Sequence, residues 1–317
     1  MPLFYYIYII SGFLNGIIAI IFGFLTWIAN PKRAINRLMG LLCLAVAFWG
    51  ISYGIWLLAK DYETALFWVR MLDFGSAFIP LFFCHWTLTF LEIEKEKRNK
   101  IILSFGYLLT LIFALFAFTP YYVRDVEPEL FFPYWPKPGI LYHLYLLLGW
   151  GGLVGYSIYC LLTNYKKVSG YKRQQIKYSL IASLLGFGGG GTNYFLWYNF
   201  LPQLPPYGSP LVALYPIVFS YAIIKYRLMD IRWILGRTGI YALSFLTVLL
   251  YTFAVFFINQ QLGTIIPPLV LGAFAVIAAI LLFLYCFRFF EKIAGKYFYY
   301  TVYTLQTTLS NLTKKLN

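Results

Sequence analysis

Nine long apolar stretches, at residues 4–28, 38–59, 66–91, 101–119, 142–163, 178–200, 208–224, 238–260 and 267–290, leave this chain few ways to fold. A helix needs roughly 20 mostly apolar residues to cross the hydrocarbon of a bilayer, and most of these stretches reach that length. A spanning backbone must satisfy its own hydrogen bonds, which admits helices or closed barrels. The alternating ten-residue segments of an outer-membrane barrel are absent. The expected fold is all-α, a polytopic bundle of about nine transmembrane helices.

The charges orient it. Of the 25 Lys and Arg residues, all but Lys60, Arg70, Arg124 and Lys137 fall in alternate connections or in the tail. The first of these connections holds Lys32, Arg33 and Arg37, the second Lys95, Lys97, Arg98 and Lys100, and the third Lys166, Lys167, Lys172, Arg173 and Lys177. Lys225, Arg227, Arg232 and Arg237 make the fourth, and Arg288, Lys292, Lys296, Lys314 and Lys315 close the chain. Basic loops stay in the cytoplasm. The N-terminus is therefore expected outside, the C-terminus in the cytoplasm, and the protein in a bacterial inner membrane. The net charge of +14 invites a nucleic-acid partner, but the bases lie in short clusters between apolar stretches and not along one face, so none is expected. Only 11% of residues are charged, against roughly 25% in soluble domains. No basic residue precedes Tyr8 and the first stretch exceeds a signal core, so a cleaved leader is not expected.

Small residues four apart let membrane helices approach closely. The pairs Gly12 and Gly16, Gly50 and Gly54, Gly151 and Gly155, and Gly186 and Gly190 predict mutual contact among the first, second, fifth and sixth stretches. The connection at 120–141, rich in proline and aromatics, is expected at the membrane surface, and 201–210 as a proline-rich turn.

Little here carries chemistry. Gly186 to Gly191 formally matches G-x-G-x-x-G, but a dinucleotide site needs a preceding strand, and this run lies inside an apolar stretch. A thin helix segment against which a neighbour packs is the better reading. Cys43, Cys84, Cys160 and Cys286 occupy separate stretches without a C-x-x-C pair, which predicts neither zinc nor disulfides. His85 and His143 fall toward opposite membrane faces and cannot share a metal. No hydrolase, metalloprotease or P-loop motif occurs, so no enzyme activity, cofactor or metal site is expected. Arg70 and Asp73, three apart on one helix face, are the exception, because ionisable residues in a membrane are expensive and commonly functional. One reading makes them a local pair, with Arg70 reaching for the headgroups. The other makes them the polar floor of a ligand pocket joined by His143, Tyr145, Asn193, Tyr194 and Trp197.

The tail has its own period. Phe298, Val302, Leu305, Leu309, Leu312 and Leu316 are spaced four and three by turns, a heptad seam of under three heptads. Either it is a chance pattern in a tail helix, or a parallel dimer helix begins there and leads to an output module.

With these residues in view the chain resembles the seven-helix membrane region at the N-terminus of bacterial sensor histidine kinases, over roughly residues 5–231. NPKRAINRLMGLLCLAVAFWG (30–50) and GGTNYFLWYNFLPQLPPYGSPLVALYPIVFSYAIIKYRLMDI (190–231) carry the likeness. The eighth and ninth stretches and KYFYYTVYTLQTTLSNLTKKLN (296–317) resemble the connector toward GAF, PAS or kinase modules. The resemblance implies a seven-helix sensor region at 1–231, two further transmembrane helices at 232–290, and a cytoplasmic linker opening a coiled coil at 291–317. It also implies a receptor for an unknown small ligand, a homodimer through the C-terminal helix, and a cytoplasmic output domain or partner. Neither histidine sits in an acceptor helix and no ATP-binding glycine boxes follow, so phosphorylation by these residues alone is not expected. A small-molecule transporter is the alternative, supported by the glycine run at 186–191 and by Pro210 and Pro216 around the seventh stretch. A structural partner in a larger complex comes third.

Overall fold

Four residues, Asn30 to Arg33, separate the first two helices, and Pro31 among them cannot continue either one. In the computed structural model, α1 (Leu3–Ala29) and α2 (Ala34–Leu57) form an antiparallel pair on this turn. The structure describes residues 3–200, 203–216, 218, 219, 222, 278, 280–285, 287 and 288. Glycine sets how closely the pair packs. A Cβ on Gly50 would lie 2.7 Å from the amide nitrogen of Gly16 and 2.8 Å from the carbonyl of Gly12. Near the turn, the Asn36 amide donates to the Thr26 carbonyl at 3.1 Å.

Asp61 opens α3 (Tyr62–Phe90), accepting from the Thr64 amide at 2.8 Å and its hydroxyl at 2.9 Å. These bonds favour the charged carboxylate and hold Asp61 below the usual carboxylate range. Pro80 lies inside α3 and has no N–H for the carbonyl of Ser76, four residues back. The Tyr145 hydroxyl donates to that carbonyl at 3.0 Å, so a neighbouring helix satisfies the group that proline left free. α4 (Lys97–Phe116) follows a short turn and turns Ile101, Leu108, Leu111 and Leu115 outward.

The next connection, 120–141, holds regular structure. β1 (Val123–Glu129) and β2 (Phe132–Pro138) form an antiparallel hairpin, Val123 opposite Pro138 and Glu129 opposite Phe132. This corrects the all-α expectation. Prolines at 128, 133, 136 and 138 argue against strands in sequence, but each strand of a two-stranded sheet keeps one free edge, where a missing N–H is tolerated. Val123, Val126, Phe132 and Trp135 are buried, and they pack across one end of the bundle, with Phe132 5.4 Å from Tyr8 and Trp135 5.2 Å from Trp56 between ring centres. Lys137 crosses the hairpin to Glu129 at 2.9 Å and Glu127 at 3.6 Å.

The span Ile140–Lys167 runs as α5 (Ile140–Leu144), a π-helical stretch Tyr145–Val154, and α6 (Gly155–Lys167). The sixth stretch is α7 (Gly170–Ser183), π-helical Leu184–Gly188, and the short α8 (Gly189–Gly191) and α9 (Asn193–Trp197). A 3-10 turn, Ser209–Leu214, begins the seventh. Gly151 and Gly155 are exposed, and an added Cβ there would meet only carbonyls of its own helix. Among the described residues, their expected helix contact is therefore not made. The later glycines face the fifth span, where a Cβ on Gly190 would lie 3.9 Å and one on Gly191 3.6 Å from the Trp150 ring, and also the seventh stretch. A Cβ on Gly189 would lie 2.5 Å from the Gly208 carbonyl, and one on Gly186 would lie 3.6 Å from Tyr215.

Among the described residues, five helices are long and apolar enough to cross a membrane: Tyr5–Ala29, Ala34–Leu57, Tyr62–Phe90, Lys97–Phe116 and Ile140–Lys167. The chain divides into two units, 1–231 and 232–317. In the second, residues 278, 280–285, 287 and 288 are helical. The eighth stretch and the seam at Phe298, Val302, Leu305, Leu309, Leu312 and Leu316 lie outside the described residues.

Candidate functional site

Helical spacing aligns Val46, Trp49, Tyr53 and Trp56 along α2, and Leu72, Ser76, Ile79 and Phe83 along α3. Both stripes face a cavity of about 90 Å³ inside the first unit. Its remaining wall comes from Pro136 of β2, from Tyr142, Tyr145 and Trp150 of the fifth span, and from the sixth and seventh stretches between Ala182 and Phe219.

Two features of the backbone aim side chains into this space. The freed carbonyl beside Pro80 holds the Tyr145 hydroxyl, which also accepts from the Trp150 indole at 3.0 Å. The π-helical stretches 145–154 and 184–188 widen the turns that carry Trp150 and Phe187, whose rings meet edge-on at 5.3 Å. Such insertions are frequent at functional sites.

Asn193 organises the polar side. It accepts from the Tyr53 hydroxyl at 3.2 Å and donates to the Gly190 carbonyl at 2.8 Å and the Ser209 hydroxyl at 3.0 Å. Asn15 of α1 reaches the Ser209 carbonyl at 3.2 Å. One amide thus joins α2 and α9 to the turn at 209–214, and Asn15 ties the same turn to α1. Beside it the rings crowd together. Tyr142 stacks on Trp197 at 4.3 Å, and Tyr194 meets Trp150 edge-on at 5.1 Å.

Asp73 is fully buried in this wall. The Ser76 hydroxyl lies 3.4 Å from its Oδ1 and 3.0 Å from its main-chain carbonyl, and Oδ2 has no hydrogen-bond partner. Arg70 is not its partner. The guanidinium donates to the Val123 carbonyl at 3.2 Å, tying α3 to the hairpin. The local ion pair expected from the i, i+3 spacing is therefore absent, because strand β1 offers Arg70 a carbonyl on the other side.

Of the side chains singled out in sequence, Asp73, Tyr145, Asn193, Tyr194 and Trp197 line this cavity together. Arg70 and His143 do not; His143 bonds the Tyr198 hydroxyl at 2.7 Å outside it. The α2 stripe, together with Ser76, Tyr142, Trp150 and Tyr215, was missed. Its signal was present in the spacing of Trp49, Tyr53 and Trp56 and in the proline of α3.

Compared with known proteins, residues 10–232 match the family model described as the N-terminal 7TM region of histidine kinase. No curated protein and no solved structure matches the chain.

Proposed function

The chain belongs to the family of N-terminal seven-transmembrane regions of histidine kinases, and from that premise we propose that it is a receptor whose central cavity takes a small ligand. The observation that carries this reading is how the cavity is built. Its wall draws on α2, α3, the fifth span, the sixth stretch and the turn after it, and it ends on Tyr215 and Phe219. Those two residues stand just before the KYRLMDI segment at 225–231 in sequence. A ligand that binds one arrangement of these elements more tightly than another shifts their population by that difference in affinity. The shift would pass through the later helices to the seam at Phe298–Leu316, and a parallel homodimer would hand it to a cytoplasmic output module.

Single cysteines at Leu305, Leu309 and Leu312, with Gln306 and Ser310 as off-seam controls, test this in native membranes. Crosslinks are expected on the seam only. Filling the cavity should change their yield at least twofold. Gly190→Leu is suited to this, since a Cβ there meets no neighbour closer than 3.9 Å. Equal crosslinking at both sets of positions, or a yield indifferent to Gly190→Leu, would remove the signalling reading.

A small-molecule transporter is the second reading. The two π-helical interruptions beside a buried acid favour it, since discontinuous helices mark transport sites. Uptake of solute into proteoliposomes by the chain alone would decide for it.

A further inference from the structure

If the cavity receives a ligand, as the receptor reading holds, its wall narrows what that ligand is. Among the described residues the lining includes one carboxylate, Asp73, and no Lys, Arg or His. Asp73 is 0% exposed, yet its Oδ2 has no partner. A carboxylate there is costly unless something pairs with it, and the Arg70 guanidinium, one turn away, donates to the Val123 carbonyl and forms no ion pair with Asp73. Tyr142, Tyr145 and Tyr194 line the same cavity as Asp73. Tyr142 and Tyr145 are 5.4 Å apart between ring centres, and Tyr142 and Tyr194 are 6.2 Å apart. Aromatic faces attract a desolvated cation and suit alkylated ammonium groups above all.

We propose that this cavity binds a small organic ammonium group, its positive nitrogen paired with Asp73 and enclosed by the tyrosine and tryptophan rings. An anionic ligand would meet Asp73 with no counter-charge among the described wall residues. A hard metal ion takes six or more oxygen ligands, and among the described residues no three His, Cys, Asp or Glu side chains cluster. A free amine and the ammonium headgroup of a lipid share the required chemistry, and the test separates them.

The probe is radiolabelled choline, bound to the full chain in phosphatidylglycerol nanodiscs and competed with its neutral isostere, 3,3-dimethylbutan-1-ol. Saturable choline binding is expected, at least tenfold tighter than the isostere. Asp73→Asn should weaken choline tenfold or more and leave the isostere unchanged. Tyr194→Leu keeps the carboxylate and should weaken choline at least threefold, which covers an Asp73→Asn chain that elutes as aggregate. Absence of saturable choline binding, equal affinity for the isostere, or an unchanged affinity in folded Asp73→Asn would overturn the assignment. In phosphatidylcholine nanodiscs a lower apparent choline affinity points to the lipid headgroup and an unchanged one to a free compound, and both uphold the ammonium site. Seam crosslinking separates the two levels. If choline fails while crosslinking still answers to Gly190→Leu, the ligand class is wrong and the receptor stands; the opposite pattern sinks the receptor and keeps the site.

Discussion

Proline at position 80 removes one N–H from α3, and the hydroxyl of Tyr145, on another helix, takes the carbonyl that is left. Interhelical hydrogen bonds in membranes average about 0.6 kcal/mol and reach about 1.7. Tyr145→Phe is expected to cost about 1 kcal/mol in unfolding measured in bicelles, because the Trp150 indole loses its acceptor as well. In a Pro80→Ala background the restored N–H satisfies Ser76, and the same substitution should cost clearly less; equal costs in both backgrounds would refute the exchange. Asp61, outside the span, gives a pH signature. Its folded pKa lies below the unfolded value, so the cap stabilises fully above the unfolded carboxylate range, and that contribution is lost as pH falls through the folded pKa. The thermal midpoints of wild type and Asp61→Ala should differ at pH 7 and converge in acid. At this scale sequence and structure agree unevenly. Asp73, Asn193 and the aromatic residues were legible because polar and ring side chains are conspicuous in apolar stretches. The partner of Arg70 was not, since it is a backbone carbonyl on a strand distant in sequence.

The same unevenness appears between elements. Glycines four apart marked the α1 and α2 contact correctly, because two such pairs face each other across a short turn. Gly151 and Gly155 carry the same spacing and touch no other helix among the described residues; spacing records what a helix permits, not what lies beside it. Gly50→Ala should therefore push α1 from α2 and lower stability by about 1–3 kcal/mol, the usual range for overpacking. Gly151→Ala should be neutral or stabilising, since alanine favours helix by about 1 kcal/mol over glycine. Detergent melting curves followed by size-exclusion chromatography distinguish the two, and similar losses at both sites would contradict the packing described. The hairpin escaped sequence reading for another reason. Its alternation is broken by prolines at free edges, and what specifies it is burial of Phe132 and Trp135 against α1 and α2, a tertiary cause.

Across the described part of the first unit two chemically distinct ends emerge. The hairpin end carries the acidic side chains of β1, with Arg124 and Lys137, whereas the connections at the opposite end gather lysine and arginine. There Lys172 sits 4.0 Å over the Phe90 ring and donates to the Phe90 carbonyl at 2.7 Å. Burial lowers its pKa, and the cation stays at this end because stem and charge each find a partner. Basic connections resist translocation, and on that ground we propose the hairpin outside and the basic end in the cytoplasm. The cavity, walled at one end by Pro136 of the hairpin, would then sit toward the outer half of the membrane. A single cysteine replacing Glu127, half-exposed beside Lys137, should react with a membrane-impermeant maleimide on intact cells. One replacing Lys167, at the end of α6, should react only after permeabilisation. The reverse pattern would invert the molecule, place the cavity toward the cytoplasm, and leave an extracellular ligand without a way in. Labelling of both positions on intact cells would mean dual topology, which the gathering of all but four of the 25 basic residues in alternate connections and the tail opposes.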